Sequence, residues 1–314
     1  MTVSSDAKHK VRAEDSLMIE NAASLDDAIV RLYDGRRGLR DRRGVGGGDI
    51  NIASVLTLDD GSHLFLKENR DDLMPMFAAE AVGLAALADI ADRSNAPPVP
   101  QVYAWGIDGR RSFLLMEMIS SGRLNSGSEF GRALAVLHRE GRSDDCGFPT
   151  DNWIGSNNQP NRRLMSWHDF FAERRLGYQW RMARTKGFGR SSDDKAMESL
   201  LNRLPELLPD IDDGRASLLH GDLWGGNWMA DSTGRAWLID PAVYYGHREA
   251  DLAMTELFGG FPPGFRQSYE DEWPIEPGFT ERRDLYNLYH ILNHANLFGS
   301  SYWNSAVGIV KRFA

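Results

Sequence analysis

Apolar residues Leu25, Ala28, Ile29, Leu32 and Tyr33 recur at helical spacing and predict a helix over 25–35. The next two apolar runs read as strands. Ile50 to Leu58 ends in the turn Asp59-Asp60-Gly61, and His63 to Lys67 returns from it, so the glycines at 44–48 join one hairpin and Asp-Asp-Gly closes the next. Pro75 opens a helix of good formers from Met76 to Ala91, and Pro97-Pro98-Val99-Pro100 stops the chain. Two further strands follow, Val102–Ile107 and Ser112–Met118, divided by Asp108-Gly109. Beyond residue 118 the pattern turns helical, over Glu129–His138, Trp167–Met182, Ala196–Leu208 and Arg282–Phe298. The organisation predicted is a polar, loosely attached extension over 1–20, a β-rich lobe over 21–117 and a mainly helical lobe over 118–314. The boundary falls near Met116–Ile119. No repeat of 20–50 residues is visible.

At 314 residues, 42% hydrophobic and 26% charged, the chain has the composition of a globular protein with ample core. Its net charge of −9 argues against a nucleic-acid partner, which selects for a basic excess. No unbroken run of 18 apolar residues predicts a membrane span, and the polar N-terminus lacks the apolar stretch of a signal peptide. Cys146 is the only cysteine, so neither an intramolecular disulfide nor a cysteine metal site can form. A reduced, cytoplasmic compartment is expected.

The chemistry concentrates in His220-Gly221-Asp222-Leu223-Trp224-Gly225-Gly226-Asn227 and in Leu238-Ile239-Asp240-Pro241. Phosphoryl transfer from ATP needs a carboxylate to orient a hydroxyl nucleophile and oxygen-bearing side chains to hold Mg²⁺ against the phosphates. Asp222, Asn227 and Asp240 supply that set. The stretch resembles the catalytic loop and metal-binding Asp of the protein-kinase template, with Gly221 in place of its Arg. That variant is typical of small-molecule kinases. Gly46, Gly47 and Gly48 sit between two strands, where backbone N–H groups can approach phosphate oxygens; alone, such a triplet is just as well a flexible turn. Lys67 ends the strand after them, and Glu80 follows thirteen residues later on the next helix, where it can pair with that lysine. Met116, Glu117 and Met118 close an apolar strand that reads equally as core or as an adenine-facing hinge.

Other residues carry blander readings. His290 and His294 have zinc-ligand spacing but no third ligand and are taken as structural. His220 is expected to brace its loop, Trp228 to be core, and the arginines of 36–43 to form a solvated face that could add positive potential near a triphosphate. Trp224, two residues past Asp222 in a loop open to substrate, is favoured for packing against a sugar or apolar linker.

The chain resembles the fructosamine kinase family from about Gly46 to Ala314. The resemblance rests on Gly-Gly-Asp-Ile-Asn (47–51), Phe-Leu-Lys-Glu-Asn (65–69), Met-Phe-Ala-Ala-Glu-Ala (76–81) and Asp-Asn-Trp-Ile-Gly (151–155). It continues through the blocks at 166–176, 219–227, 248–261 and 288–294. Aminoglycoside and choline kinases share the His-Gly-Asp, Asn and Asp core without the Leu-Trp or Leu-Phe-Gly-Gly-Phe stretches. The resemblance implies an α+β, bilobal protein-kinase-like fold and ATP-dependent phosphorylation of the 3-hydroxyl of ketosamines, small or protein-linked. Such enzymes act in deglycation. It further implies Asp222 as base, Asn227 and Asp240 as Mg²⁺ ligands, Lys67 with Glu80 as phosphate anchor, and Met116–Met118 along the adenine. The competing readings are another hydroxyl acceptor, of aminoglycoside or choline type, and a non-catalytic nucleotide-binding scaffold. The Arg-rich approach to the glycine loop and the polar extension are not part of the family pattern. They leave oligomeric state and regulation open.

Overall fold

Alternating burial along the strands builds the first layer. A computed structural model of the chain describes residues 19–46, 50–211 and 214–314, so Gly47, Gly48 and most of the polar extension lie outside the described residues. The strands β1 (Ile19–Ala22), β2 (Leu39–Val45), β3 (Ile52–Leu58), β4 (His63–Arg70), β5 (Val102–Asp108) and β6 (Arg111–Glu117) form one sheet, in the order β1-β5-β6-β4-β3-β2. Helix α1 (Leu25–Leu32) is capped by Ser24, whose hydroxyl accepts the Asp27 N–H at 3.0 Å. Its Leu25, Ala28 and Ile29 pack with Leu56, Leu64, Leu66 and Phe113 of the sheet. Ile19 and Glu20, read from sequence as part of a loose tail, instead begin β1, which pairs in parallel with β5.

The chain divides into two compact units. Residues up to Phe77 and Val102–Met118 make the first; Ala78–Gln101 and Ile119–Ala314 make the second. Helix α2 (Met74–Arg93) carries Pro75 in its first turn, where a missing N–H costs nothing. With the single 3₁₀ turn before it, this helix is long and apolar enough to cross a bilayer, at mean hydropathy 1.6. Its Phe77, Ala81, Leu84 and Leu87 are nonetheless buried in the protein, at the spacing of a core-facing stripe.

The second unit is mainly helical. It contains α3 (Gly127–Glu140), α4 (Trp167–Phe170), α5 (Gly177–Thr185), α6 (Ser191–Leu207), α7 (Glu249–Leu257), α8 (Phe265–Glu272), α9 (Phe279–Phe298) and α10 (Ser300–Phe313). Short strands complete it: β7 (Arg142–Ser143), β8 (Asn152–Ile154), β9 (Asn157–Gln159), β10 (Ala216–Leu219), β11 (Trp228–Ala230), β12 (Ala236–Leu238) and β13 (Tyr244–Gly246). The expected single helix over 167–182 is broken by a π-helical stretch, Phe171–Leu176. Within it the buried Arg175 stacks 3.9 Å from the Tyr244 ring centroid and donates to Asn161 Oδ1 at 2.7 Å. Its charge is thus satisfied by rings and amide oxygens.

Gly106 shows how tightly β1 is docked: a Cβ there would lie 2.3 Å from the Ala22 carbonyl oxygen. Gly106→Ala is therefore expected to loosen β1 and cost ~1–3 kcal/mol. Thermal unfolding, with limited proteolysis of the N-terminal segment, checks this.

Candidate active site

Strand β10 is buried at all four positions and delivers the chain into the loop 220–227. The loop is clamped from beneath by one carboxylate. Asp251, on α7 and 2% exposed, accepts the His220 N–H at 2.7 Å and the Gly221 N–H at 2.9 Å. It also faces His138 Nε2 at 3.2 Å, while His138 Nδ1 meets the Tyr269 hydroxyl at 2.8 Å. Burial lowers the His138 pKa, so the imidazole is neutral and donates from Nε2. Burial works against Asp251 as well, but these donors outweigh it and hold the carboxyl below its ordinary value.

Gly221 is required by this geometry. Its φ is +80°, and a Cβ would meet the Ala242 carbonyl oxygen at 2.0 Å. The steric reason for glycine, where the protein-kinase template has Arg, is this close approach to the chain after Asp240. His220 braces the loop as the sequence suggests: Nε2 lies 2.9 Å from the Ile239 carbonyl, and Nδ1 accepts the Asp222 N–H at 3.3 Å. A single neutral tautomer satisfies both, and burial lowers the ring's pKa accordingly.

The spacing of thirteen between Asn227 and Asp240 is a hairpin. β11 and β12 pair Trp228 with Leu238 and Ala230 with Ala236, and the Ile239 N–H reaches the Asn227 carbonyl at 3.0 Å. Asn227 and Asp240 are thereby brought to one end of the ribbon. Asn227 Nδ2 donates to the Asp222 carbonyl at 2.8 Å and to Asp222 Oδ2 at 3.1 Å. Asp240 is a non-glycine residue at φ +55°, immediately before Pro241. Strained backbone of this kind costs ~1–3 kcal/mol and gathers at functional sites.

Asp222 itself is 23% exposed. Its carboxyl is raised to about 7: burial pushes it up, the Asn227 hydrogen bond pulls it down, and the Asp240 and Asp251 charges add to the rise. The amide oxygen of Asn227 and the carboxylates of Asp222 and Asp240 are all hard donors. No cluster of three His, Cys, Asp or Glu residues suited to a metal exists among the described residues. Oxygen donors of this kind suit Mg²⁺, which is held by one or two protein oxygens together with phosphates.

Trp224, within this loop, is 40% exposed, and its indole lies over Gly226, where a Cβ would come within 2.4 Å of the ring. Phe258 meets it edge-on at 6.4 Å, and His294 lies 5.1 Å beyond Phe258. Two glycine pairs set this arrangement: a Cβ on Gly225 would stand 2.7 Å from the Gly259 carbonyl oxygen, and one on Gly260 would stand 2.9 Å from Gly225 Cα. Trp228, which the sequence reading places in the core, is half-buried and packs at a tilt against Phe130, with ring centroids 5.1 Å apart. His290 is the residue that sequence reasoning set aside and the structure brings in. It is 3% exposed, and its Nδ1 stands 3.9 Å from Asp222 Oδ1. Asp251 and Phe258 were not singled out either; only their place in the 248–261 block hinted at them.

The remaining expected residues lie in the first unit, apart from Glu80, which is half-buried on α2 in the second. Lys67 is 6% exposed on the central strand β4, opposite Ala53 and Leu114. Met116 and Glu117 end β6 and Met118 follows, while Gly46 is exposed after β2. Within the Arg cluster, Arg36 pairs with Asp34, Arg37 with Asp60, and Arg42 reaches past Ser54 to Glu68.

The sequence profile of the family described as "Fructosamine kinase" matches residues 27–314. A "Probable ketoamine kinase" of Synechocystis sp. is 44% identical over 276 residues, covering 87% of this chain and 90% of that one. The "Protein-ribulosamine 3-kinase, chloroplastic" of Arabidopsis thaliana is 41% identical over 271 residues, 86% of this chain and 81% of its own. The crystal structure of a "putative fructosamine-3-kinase" from Thermobifida fusca superposes at TM-score 0.79 with 32% identity, covering 92% of this chain and 97% of that one. The fold is protein-kinase-like, of the α+β class.

Asp251→Asn places an amide against donors that need a carboxylate, and is expected to cost ~2–4 kcal/mol and to release the loop. The sign follows from the depressed carboxyl: its contribution is complete above the unfolded value near ~4 and is lost as pH falls through the folded one. Acid unfolding followed by circular dichroism should show a pH-dependent step in the parent protein that the Asn variant lacks.

Proposed function

The chain belongs to the fructosamine kinase family, and on that premise we propose that it transfers the γ-phosphoryl group of ATP to the 3-hydroxyl of ketosamines, with Asp222 as the base. The observation that carries this reading is the clamped loop. Two backbone bonds to Asp251 and one to His220 fix Asp222, and Asn227 turns one of its oxygens, leaving Oδ1 to meet a hydroxyl. In the reaction the substrate O3 forms a bond to the γ-phosphorus as the bond to the β-phosphate oxygen breaks. The O3 proton passes to Asp222, and ADP carries away the electron pair.

Asn227 and Asp240 would hold Mg²⁺, which when bound neutralises phosphate charge and aligns the in-line transfer. Lys67 is the cation assigned to the phosphates, and Glu117 and Met118 the backbone assigned to the adenine edge. Trp224 and Phe258 offer an aromatic face to the sugar and to the cationic amine it is attached to. Ribulosamines and fructosamines, free or on a protein lysine, share the reacting portion. Phosphate at C3 is then the leaving group when a C1 proton is lost, and water hydrolyses the resulting imine to free the amine, which makes the activity a deglycation.

Asp222→Asn keeps the shape but removes the base, so kcat on ribulose-lysine is expected to fall ~10²–10⁴-fold while Mg·ATP binding persists. Undiminished turnover would remove Asp222 from this role. In the unliganded enzyme the carboxylate forms as pH rises through about 7. The acidic limb of kcat/KM should fall in that region, and the limb of kcat at lower pH, because bound Mg²⁺ favours the ionised form. Stopped assays across pH 5–9 measure both.

A further inference from the structure

His290 presents an unusual combination of burial, orientation and unmet hydrogen bonding. Its side chain is 4% exposed, and Nδ1 has no hydrogen-bond partner among the described residues. Buried polar atoms without partners are costly, and at a functional site they mark where a ligand atom belongs. Nδ1 faces Asp222 Oδ1 at 3.9 Å, beyond hydrogen-bond reach. The ring is neutral, because burial pushes its pKa down to about 3, with His294 adding to the shift. It therefore has one N–H and one lone pair to offer and no charge with which to compete for the proton that Asp222 takes.

The mounting is rigid. Asn293, three residues on, accepts from Asn157 at 2.9 Å and from Gln179 at 3.2 Å, and Asn296 donates to the Gln179 side chain at 2.7 Å. Asn287 donates to the Ala253 carbonyl at 2.9 Å, tying α9 to the helix that carries Asp251. His294 sits one turn along, with its Nδ1 at 2.8 Å from the His290 carbonyl and its ring against Phe258. Helix α9 thus lines the acceptor side of Asp222, opposite in role to the hairpin that carries Asn227 and Asp240.

Two fixed atoms 3.9 Å apart suit a particular acceptor. The gauche oxygens of neighbouring carbons stand about one hydrogen-bond length apart. Two protein atoms slightly further apart than that can each take one of them. A hydroxyl is the better partner for a neutral imidazole nitrogen, since it donates or accepts as the tautomer demands. In a ketosamine the 3-hydroxyl has such a neighbour at C4. We propose that His290 Nδ1 hydrogen-bonds the C4 hydroxyl while Asp222 Oδ1 takes the 3-hydroxyl, so that the pair reads a vicinal diol and fixes which oxygen is phosphorylated. The proposal rests on the ketosamine reading above. It makes His290 a specificity-determining residue and disfavours acceptors with an isolated hydroxyl.

The test is a cycle of enzyme and substrate changes. Ribulose-lysine and its 4-deoxy analogue are assayed with the parent enzyme and His290→Ala, with thermal midpoints and Mg·ATP binding as folding controls. The parent enzyme should lose ~10–100-fold in kcat/KM on the 4-deoxy analogue. His290→Ala should lose a similar factor on ribulose-lysine and little more on the analogue. His290→Phe, which keeps the ring's bulk, replaces Ala if that variant fails to fold, and His290→Asn should recover part of the loss. Losses that multiply, or a His290 variant as active as the parent, overturn the inference while the kinase reading stands. A parent enzyme that phosphorylates neither ribulosamine nor fructosamine overturns both.

Discussion

Asp251 is the constraint on which the site depends. One buried carboxylate takes the backbone N–H groups of His220 and Gly221 and the imidazole of His138, and so fixes the chain one residue before the proposed base. Hydrogen bonds to a charged acceptor are stronger than neutral ones and lose little to water when the acceptor is buried. The left-handed turn at Gly221 follows from that anchoring, and the turn in turn brings the chain against Ala242. The clamp thus fixes the backbone that carries Asp222, while the hairpin behind it is held separately, through Leu238 to Pro98 and Gly122 to Ala230.

The helix that carries Asp251 is itself tied down. Glu249 forms a buried ion pair with Arg282 at the start of α9, with Arg282 Nε 2.6 Å from Oε2. Burial raises the Glu249 carboxyl, and Arg282 opposes the shift. The same two helices, α7 and α9, then present Asp251 to the backbone of the loop and His290 to its side chain. Phe258 at the end of α7 and His294 on α9 extend this support to Trp224. The anchor of the proposed base's loop and the proposed acceptor-side residue His290 are thus mounted on one pair of helices, which is how a loop site acquires the precision of rigid elements.

Much of this was legible in the sequence, for identifiable reasons. The four strands β3–β6 and the helix α2 follow from hydrophobic period and turn residues, which are local signals, whereas β2, exposed along nearly its whole length, shows no such period. The Asp222, Asn227 and Asp240 set was legible because its spacing encodes a loop and a hairpin. What escaped was non-local. Helix α7 has Glu249, Ala250, Asp251, Leu252, Ala253, Met254 and Thr255 all buried, so it shows no amphipathic stripe to find. Asp251 and Glu249 carry no local signal, because their partners lie thirty or more residues away. His290 looked structural because its significance lies in a distance to Asp222 across sixty-eight positions of sequence. Ile19 and Glu20 looked like tail because a four-residue strand pairs in parallel with a distant partner and leaves no local mark.

The central claim is that phosphate is directed to one hydroxyl of a ketosamine, the one at C3. Proton-coupled ³¹P NMR of the product formed from ribulose-lysine and fructose-lysine, side by side with Mg·ATP, tests it most directly. The account predicts a single phosphomonoester coupled to the C3 proton in each case. A product phosphorylated at another carbon, or no phosphoester from either sugar, would contradict it.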